Sequence, residues 1–248
     1  MEIEVKDRCH CCEAEYYRVY ENTFECKSCG HIYRRYLGNE VEYHQNQYRN
    51  IERRDVSEIS DDGVVKPLFH EKRKEICERR VSLVSQYLSK VHSYLDIGAG
   101  AGTYIDTIRD KVGKIECTEL DGSLIQECKR LGFRVYEESF LEIEFSSKYD
   151  VVSAWHVLEH VDDADRFLQK CSSITSEYCI IEVPLLVSIS GTGRRRRLVD
   201  PHAGVYDGHA HYFTKKSFEI MASKYFKIIE LKEGVQSPAL FAVLGVKK

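Results

Sequence analysis

Short apolar runs alternate with stretches of helical periodicity from residue 68 to the end of the chain. The helical spacing of apolar residues predicts helices at 68–88, 103–113, 123–131, 164–174 and 217–225. Apolar runs between and after these helices predict strands at 94–97, 114–121, 133–136, 149–155, 178–184, 226–231 and 239–246. Strands that alternate with helices are typical of an α/β fold with a doubly wound, mostly parallel sheet.

A glycine-rich turn follows the first of these strands. Glycine occupies alternate positions, Gly98, Gly100 and Gly102, shortly after the acidic residue Asp96. Glycine adopts positive φ angles easily and has no Cβ atom to keep a ligand away from the backbone amides. At the carboxyl end of a parallel strand, such a turn predicts a site for a nucleotide-like cofactor. The dinucleotide fingerprint would need a glycine where the chain has Thr103, so an NAD-linked enzyme is disfavoured.

Acidic residues lie at the end of the second predicted strand. Glu119 lies at its end and can accept hydrogen bonds from both hydroxyl groups of a ribose, which predicts a role in holding the cofactor. Leu120 follows it and belongs to the same predicted site. Asp121 is predicted to cap the helix at 123–131 instead.

The first forty residues carry paired cysteines in place of regular apolar runs. The pairs form two Cys-x-x-Cys turns, at Cys9, Cys12, Cys26 and Cys29. Two such turns can place four thiolates around one ion, so the spacing predicts a structural Zn²⁺ site in a small zinc ribbon. His10 and Cys11 are alternative ligands. A four-thiolate site is coordinatively closed, which favours a structural or substrate-positioning role over a catalytic one.

Two polar segments lack regular apolar spacing. In the first, Tyr43 and Tyr48 either fold over the cofactor as a substrate-contacting lid or belong to a solvated linker. The second follows the fifth strand and is long for a loop, which favours a binding role. Its run of four arginines begins with Arg194 and Arg195, which either bind phosphate or form a solvated basic turn. The predicted division of the chain is a zinc ribbon, a connector or lid and a catalytic domain, at 1–38, 39–70 and 71–248.

Composition narrows the class of protein. A chain of 248 residues, 43% hydrophobic and 31% charged, can bury one α/β core and a small appendage. The sequence has no apolar run long enough to span a membrane and no signal-peptide core, which predicts a cytoplasmic protein. A net charge of −4 gives no bulk attraction to nucleic acid.

The fourth strand runs into a Leu-Glu-His segment, Leu158-Glu159-His160. Together with the glycine turn and Glu119, this segment resembles the class I S-adenosylmethionine (SAM) dependent methyltransferases over residues 90–248. The resemblance implies a Rossmann-like, seven-stranded sheet that ends in a hairpin, with SAM as the cofactor. It also implies further cofactor contacts, from Asp96, Glu138, Ser139, Phe140 and Trp155. A zinc ribbon ahead of such a domain resembles a bacterial group often associated with cell-surface polysaccharide and sugar modification.

Histidines near the expected methyl position are the candidate catalytic residues. His156 and His160 are four residues apart and would share a helix face with Glu159. Two more, His209 and His211, belong to a segment that resembles the one before the last helix in this branch of the family. A hydroxyl acceptor has to lose its proton, and histidine is the usual general base near neutral pH.

Three roles for the Glu159 segment stay open. In the first, His160 is the base and Glu159 orients it. In the second, Glu159 and His160 bind a second divalent metal that lowers the pKa of the acceptor. The Glu-His pair resembles that of the metal-using ubiquinone-pathway O-methyltransferases and small-RNA 2′-O-methyltransferases, although those carry an acid at the position of His156. The third role is purely structural.

The sequence favours O-methylation of a sugar, a glycan or another small hydroxyl compound. An RNA methyltransferase that contacts the backbone through the ribbon and Arg194–Arg197 is an alternative, which the net acidity disfavours. A protein that binds SAM and zinc without catalysis is a further alternative.

Overall fold

A computed structural model describes residues 8–20, 23–35, 67–186, 209–234 and 239–247 of the chain. Four residues of the predicted substrate site, Tyr43, Tyr48, Arg194 and Arg195, lie outside these ranges, and their roles stay predictions. Within the described residues, no helix is long and apolar enough to cross a membrane.

A seven-stranded sheet carries the α/β part of the chain. Its strands are β4 Ser93–Ile97, β5 Lys114–Thr118, β6 Arg134–Tyr136, β7 Tyr149–Trp155, β8 Thr175–Pro184, β10 Phe226–Glu233 and β11 Ala239–Val246. They lie in the order β10-β11-β8-β7-β4-β5-β6. β4 pairs in parallel with both β5 and β7, whereas β10 and β11 form an antiparallel hairpin. The predicted doubly wound, mostly parallel sheet with a final hairpin is therefore confirmed.

The order of the strands defines a switch point at the carboxyl end of β4. The chain passes from β4 to β5 and β6 on one side and then returns to β7 on the other side. Asp96 of β4 lies opposite Cys117 of β5 and Ser153 of β7. Ligands of open α/β sheets bind where neighbouring connections leave in opposite directions, which agrees with the prediction of a cofactor site in the loop after β4.

Five helices lie among the described residues. They are α1 Pro67–Val84, α2 Thr103–Ile108, α3 Gly122–Arg130, α4 Ala164–Ile174 and α5 Lys215–Tyr225. Asp121 caps α3 as predicted, because its side chain accepts hydrogen bonds from the amides of Ser123 and Leu124. α2 ends five residues earlier than predicted. The amide of Gly113 instead donates to the carbonyl of Val91, and a Cβ atom at Gly113 would lie 2.4 Å from a backbone oxygen.

A second, four-stranded sheet contains the N-terminal cysteines. Its order is β1-β2-β3-β9, with β1 Tyr16–Tyr20, β2 Thr23–Cys26, β3 Ile32–Arg34 and β9 His211–Tyr212. The paired cysteines predict a zinc ribbon in the first forty residues, but no pattern in the sequence predicts β3 or β9. Residues 8–35 are called the N-terminal ribbon below. Its sheet is completed by β9, which comes from the far end of the sequence.

Contacts between Cα atoms divide the chain into two compact units. The first consists of Met1–Glu40, Trp155–Ser173 and Cys179–Lys248, and the second of Val41–Ala154 and Ile174–Tyr178. The first unit buries aromatic and aliphatic side chains such as Phe213, Phe218 and Leu240, and the second buries Leu95, Ile105 and Val151. The division at residues 38 and 70 stays a prediction from sequence.

Candidate functional site

The glycine turn after β4 has the backbone geometry that its sequence predicts. Gly98, Gly100 and Gly102 have φ angles of 67°, 59° and 75°, in the left-handed region. A Cβ atom at Gly100 would meet nothing within 4 Å, whereas one at Gly102 would lie 3.1 Å from Sγ of Cys128. A side chain at position 102 would therefore crowd Cys128, whereas the space beside the Cα atom of Gly100 is open.

Glu119 holds this turn from the end of β5. Its carboxylate accepts hydrogen bonds from the backbone amides of Gly100 at 2.8 Å, Leu120 at 2.7 Å and Asp121 at 3.0 Å. The hydroxyl of Thr118 accepts a further one, from the amide of Gly98 at 3.1 Å. The turn and the acid predicted to bind ribose thus form one hydrogen-bonded unit. We call Gly98, Gly100, Gly102 and Glu119 the cofactor cradle.

Asp96 lies below the cradle in β4. The residue is 2% exposed, and its carboxylate accepts a hydrogen bond from the hydroxyl of Ser153. Burial raises the pKa of Asp96 to about 7, although the Ser153 hydrogen bond and the charge of Arg80 act in the opposite direction. Near neutral pH this carboxyl group is therefore on the border between its two charge states.

The other predicted cofactor residues occupy two places. Glu138, Ser139 and Phe140 follow β6, the strand beside β5, with Glu138 exposed and the ring of Phe140 buried. Trp155 is the last residue of β7, and its buried ring stacks on Phe241 of β11 with 6.2 Å between ring centroids. The first three therefore follow the strand next to β5, and Glu119 directly follows β5.

The segment that follows β7 surrounds one buried carboxylate with histidines. Glu159 is 1% exposed, and its Oε1 atom lies 3.2 Å from Nδ1 of His156, 3.9 Å from Nε2 of His160 and 4.0 Å from Nε2 of His209. The rings of His160 and His209 meet edge to face, with 4.7 Å between centroids. Burial alone would raise the pKa of Glu159, but the hydrogen bond from His156 and the neighbouring imidazoles lower it. Glu159 is therefore ionised at neutral pH.

A second carboxylate, Glu182, belongs to the same group. Nε2 of His156 lies 3.0 Å from its Oε1 atom, so His156 bridges two buried acids. Burial lowers the pKa of His156, but the two carboxylates outweigh that effect and raise it to about 9. His156 also has a φ angle of 59°, which is rare for a residue other than glycine and costs energy. We call Glu159, Glu182, His156, His160 and His209 the Glu159 cluster.

Sequence patterns do not reveal Glu182 or the geometry of this segment. Glu182 stands in an apolar run, and its charge inside a buried strand is the only signal for it. Residues 156–163 form turns instead of the helix on which His156 and His160 would share a face. The two histidines converge on Glu159 because a turn, with the amide of His160 donating to the carbonyl of Val157, folds the segment back.

The ring of His211 contacts residues other than the four remaining predicted catalytic residues. Its Nδ1 atom is 3.2 Å from Nε2 of His31 in the N-terminal ribbon, and its Nε2 atom is 3.3 Å from the carbonyl oxygen of Asp162. Burial lowers the pKa of His211 well below its usual value. His211 is therefore a neutral, buried residue, and the structure gives it contacts to the ribbon.

The four predicted metal ligands of the ribbon converge. Sγ of Cys9 lies 3.6 Å from Sγ of Cys29, and Sγ of Cys12 lies 3.5 Å from Sγ of Cys26. All four sulfur atoms lie within 4.8 Å of one another. A tetrahedral Zn²⁺ site with bonds of about 2.3 Å separates its sulfur ligands by about 3.8 Å, so the group has suitable dimensions. Three buried residues, Cys9, Cys11 and His31, form an overlapping group of the same span.

A family model described as a methyltransferase domain matches residues 69–229, more than half of the chain. No curated protein matches the sequence.

Solved structures share the fold at low sequence identity. Magnesium protoporphyrin IX methyltransferase from Synechocystis, with bound SAH, has a TM-score of 0.62 and 13% identity, covering 84% of this chain and 100% of that chain. The N-methyltransferase NodS from Bradyrhizobium japonicum, in complex with S-adenosyl-L-homocysteine, has a TM-score of 0.55 and 17% identity, covering 82% and 100%. A SAM-dependent methyltransferase from Clostridium acetobutylicum has a TM-score of 0.53 and 11% identity, covering 82% and 99%. The chain therefore belongs to the methyltransferase domain family.

Proposed function

We propose that the enzyme methylates a hydroxyl group of a sugar, a glycan or another small acceptor, with His160 as the general base. The observation that carries this proposal is the Glu159 cluster, in which two partly exposed imidazoles lie beside one buried carboxylate. The segment follows β7 directly along the chain, and β7 pairs with β4, the strand that leads into the cofactor cradle. SAM, when bound, supplies an electrophilic methyl group on a sulfonium.

The charge states within the cluster favour His160 over His156 as the base. His156 is held as a cation by Glu159 and Glu182, so it has no lone pair with which to take a proton at neutral pH. The side chain of His160 is 20% exposed, and its Nε2 atom lies 3.9 Å from Glu159. As the oxygen–methyl bond forms and the sulfur–methyl bond breaks, the acceptor proton passes to His160. The nearby carboxylate stabilises the resulting cation.

A transfer assay with isotope-labelled SAM tests this proposal. Zinc-loaded protein is incubated with sugars, nucleotide-sugars, cell-envelope glycans and RNA, and the labelled product is analysed for the methylated atom. We expect label on a hydroxyl oxygen, and we expect His160→Gln to slow transfer about 100-fold to 10,000-fold while SAM binding is kept. The control is His92→Gln, which changes an exposed histidine.

The same assay separates the competing functions. Label on nitrogen or carbon, or full activity in His160→Gln, would overturn the proposal. Label on RNA would favour the nucleic-acid alternative, in which the ribbon and Arg194–Arg197 hold the backbone. Bound SAM that is never consumed by any component of the panel would favour a binding protein.

A divalent metal in the Glu159 cluster is a second proposed mechanism. Glu159, His160 and His209 each offer one ligand atom, and these atoms lie within 4.8 Å of one another. The buried Oε2 atom of Glu159 has no hydrogen-bond partner among the residues that the structure describes, and a cation would satisfy it. Such a metal would lower the pKa of the acceptor. Activity of dialysed enzyme that Mn²⁺ and Mg²⁺ leave unchanged would exclude this mechanism.

We also propose that the N-terminal ribbon holds one structural Zn²⁺. The proposal is supported by the convergence of Cys9, Cys12, Cys26 and Cys29, whose four thiolates would leave no open coordination position. Metal analysis of the purified protein should find about one zinc per chain. Cys26→Ser should lose the zinc, whereas Cys171→Ser, which changes a buried cysteine of α4, should keep it.

A further inference from the structure

The second cysteine turn of the N-terminal ribbon is attached to the start of α5. The hydroxyl of Thr214 donates to the carbonyl of Cys29 at 2.7 Å, and the ammonium group of Lys216 donates to the carbonyl of Ser28 at 2.6 Å. Gly30 allows this approach, because a Cβ atom there would lie 3.1 Å from Cγ2 of Thr214. The backbone around a predicted metal ligand is therefore fixed to residues 214–216.

A chain of buried hydrogen bonds runs beside this attachment. His211 must donate from Nε2, because its partner there is the carbonyl of Asp162, and its Nδ1 atom is then an acceptor. Nε2 of His31 therefore donates to Nδ1 of His211 at 3.2 Å. Nδ1 of His31 in turn accepts from the hydroxyl of Tyr16 at 2.7 Å. The partners fix one tautomer for each histidine.

The backbone of residues 210 and 211 contacts the Glu159 cluster. The backbone amides of Ala210 and His211 both donate to the carbonyl oxygen of Glu159, at 2.8 and 3.0 Å. In the other direction, Tyr33 of β3 pairs with His211, and the amide of Arg34 donates to the carbonyl of Ala210 at 2.7 Å. Residues 210 and 211 thus lie between the ribbon and Glu159 and adjoin His209.

We propose that His31 and His211 are positioning residues, through which the N-terminal ribbon fixes Glu159 and His209 in their places. The ribbon then acts as a support for the catalytic groups. The inference rests on the proposed function only in taking the Glu159 cluster as the catalytic group. The physical basis is that a side chain keeps its geometry when the backbone on both sides of it is held by satisfied, buried hydrogen bonds.

Nuclear magnetic resonance of histidine rings tests this inference without an acceptor. The protein is labelled with ¹⁵N-histidine, and the ring signals of His160 and His209 are assigned from single variants. We expect His31→Leu to shift both signals. His31→Gln keeps a donor near the Nε2 position and should restore the signals in part. His92→Gln, at an exposed site, should leave them unchanged.

A second variant and two binding measurements complete the design. His211→Leu breaks the same contact from outside the ribbon and should give the same shifts. In both leucine variants we expect zinc content and SAM affinity to stay at the wild-type level, while kcat falls about 10-fold to 100-fold once an acceptor is known.

Three outcomes would overturn the inference. Unchanged His160 and His209 signals in both variants would show that the contact does not position them. Loss of SAM binding in both would show a general role in folding instead. Shifts in only one variant would contradict a shared contact. Failure of the proposed function leaves these readouts intact, since it would appear as methyl label on an atom other than a hydroxyl oxygen.

Discussion

The cofactor cradle and the Glu159 cluster organise polar groups in opposite ways. In the cradle, three glycines have positive φ angles, and one acid at the end of the next strand, Glu119, accepts a hydrogen bond from the backbone amide of Gly100. In the cluster, imidazole side chains gather around one buried acid, Glu159. The cradle depends on conformations that only glycine adopts easily, whereas the cluster depends on the identity of its side chains.

Two equally buried acids, one in each region, have pKa values that are shifted in opposite directions. Asp96, below the cradle, has a hydroxyl group as its hydrogen-bond partner, and burial raises its pKa to about 7. Glu159 is buried to the same degree, but the imidazoles around it lower its pKa. The neighbours of a buried acid, and not its depth, therefore decide whether it carries a charge.

The largest expected effect is on SAM affinity, and it comes from a substitution in the cofactor cradle. Glu119→Ala removes the predicted acceptor for the ribose hydroxyls and releases three backbone amides. Because hydrogen bonds to a charged group contribute about 1.5–3 kcal/mol each, SAM affinity should fall about 100-fold to 1,000-fold. Calorimetry measures the change, with Glu144→Ala at an exposed position as the control. An unchanged dissociation constant would show that Glu119 only holds the turn.

The next largest effect is expected in the cluster. Glu159→Gln keeps the shape of the side chain and removes the charge that His156, His160 and His209 face. Methyl transfer should fall on the order of 100-fold, whereas SAM affinity should not change. The labelled-SAM assay measures the first quantity and calorimetry the second. Glu177→Gln, on the exposed part of β8, is the matched control. A parallel loss of both quantities would mean that the two regions do not act separately.

A third effect, on stability, tests the charge state of Asp96. An unfolded aspartate titrates near pH 4, whereas folded Asp96 titrates at about 7, so the native state loses stability as pH rises between these values. Asp96→Asn stays neutral and should be more stable than the wild type at pH 8 by up to about 4 kcal/mol, the full value of a shift of about three pKa units. The difference should vanish near pH 4. Urea unfolding without SAM measures it, with exposed Asp110→Asn as the control. A destabilised variant at pH 8 would contradict the assignment.

The smallest expected effect is on the pH dependence of stability, and it comes from His156. Its folded pKa of about 9 lies above the unfolded value of 6.5, so its stabilisation is complete below pH 6.5 and is lost as pH rises to about 9. Because the side chain is 40% exposed, we expect only about 1 kcal/mol from this source. His156→Gln should flatten the fall in melting temperature between pH 6.5 and 9 by a corresponding amount. An identical slope in both proteins would refute the charge assignment.

The difference between the two regions also explains how much the sequence could predict. The cradle is local, since Asp96 to Gly102 are consecutive and Glu119 closes the next strand. Glycine periodicity and an acid after a strand are signals that can be recognised within one short stretch of sequence. The strand order follows from the same alternation of strands and helices, with a family resemblance to support it.

The Glu159 cluster could be predicted only in part. His156, Glu159 and His160 are close in sequence, but the turn that brings them together has no periodic signal. His209 approaches from fifty residues away, and Glu182 stands in a strand whose other residues are apolar. The contacts of the His211 ring could not be predicted from sequence for a related reason. Its neighbours are set by the pairing of β9 with β3. A two-residue strand contains no sequence pattern from which a partner 180 residues earlier could be predicted.

The pairing of β3 with β9 has a consequence for the order of folding. The ribosome completes β1, β2 and β3 early, but the strand that covers the outer edge of β3 is made only when residue 212 has been added. Until then the ribbon presents unpaired amide and carbonyl groups, the kind of edge on which neighbouring chains can pair. Contacts so distant in sequence form slowly. The ribbon thus leaves the ribosome before the α/β part but is finished only after most of that part has been made, and zinc bound early would protect an incomplete sheet during that interval.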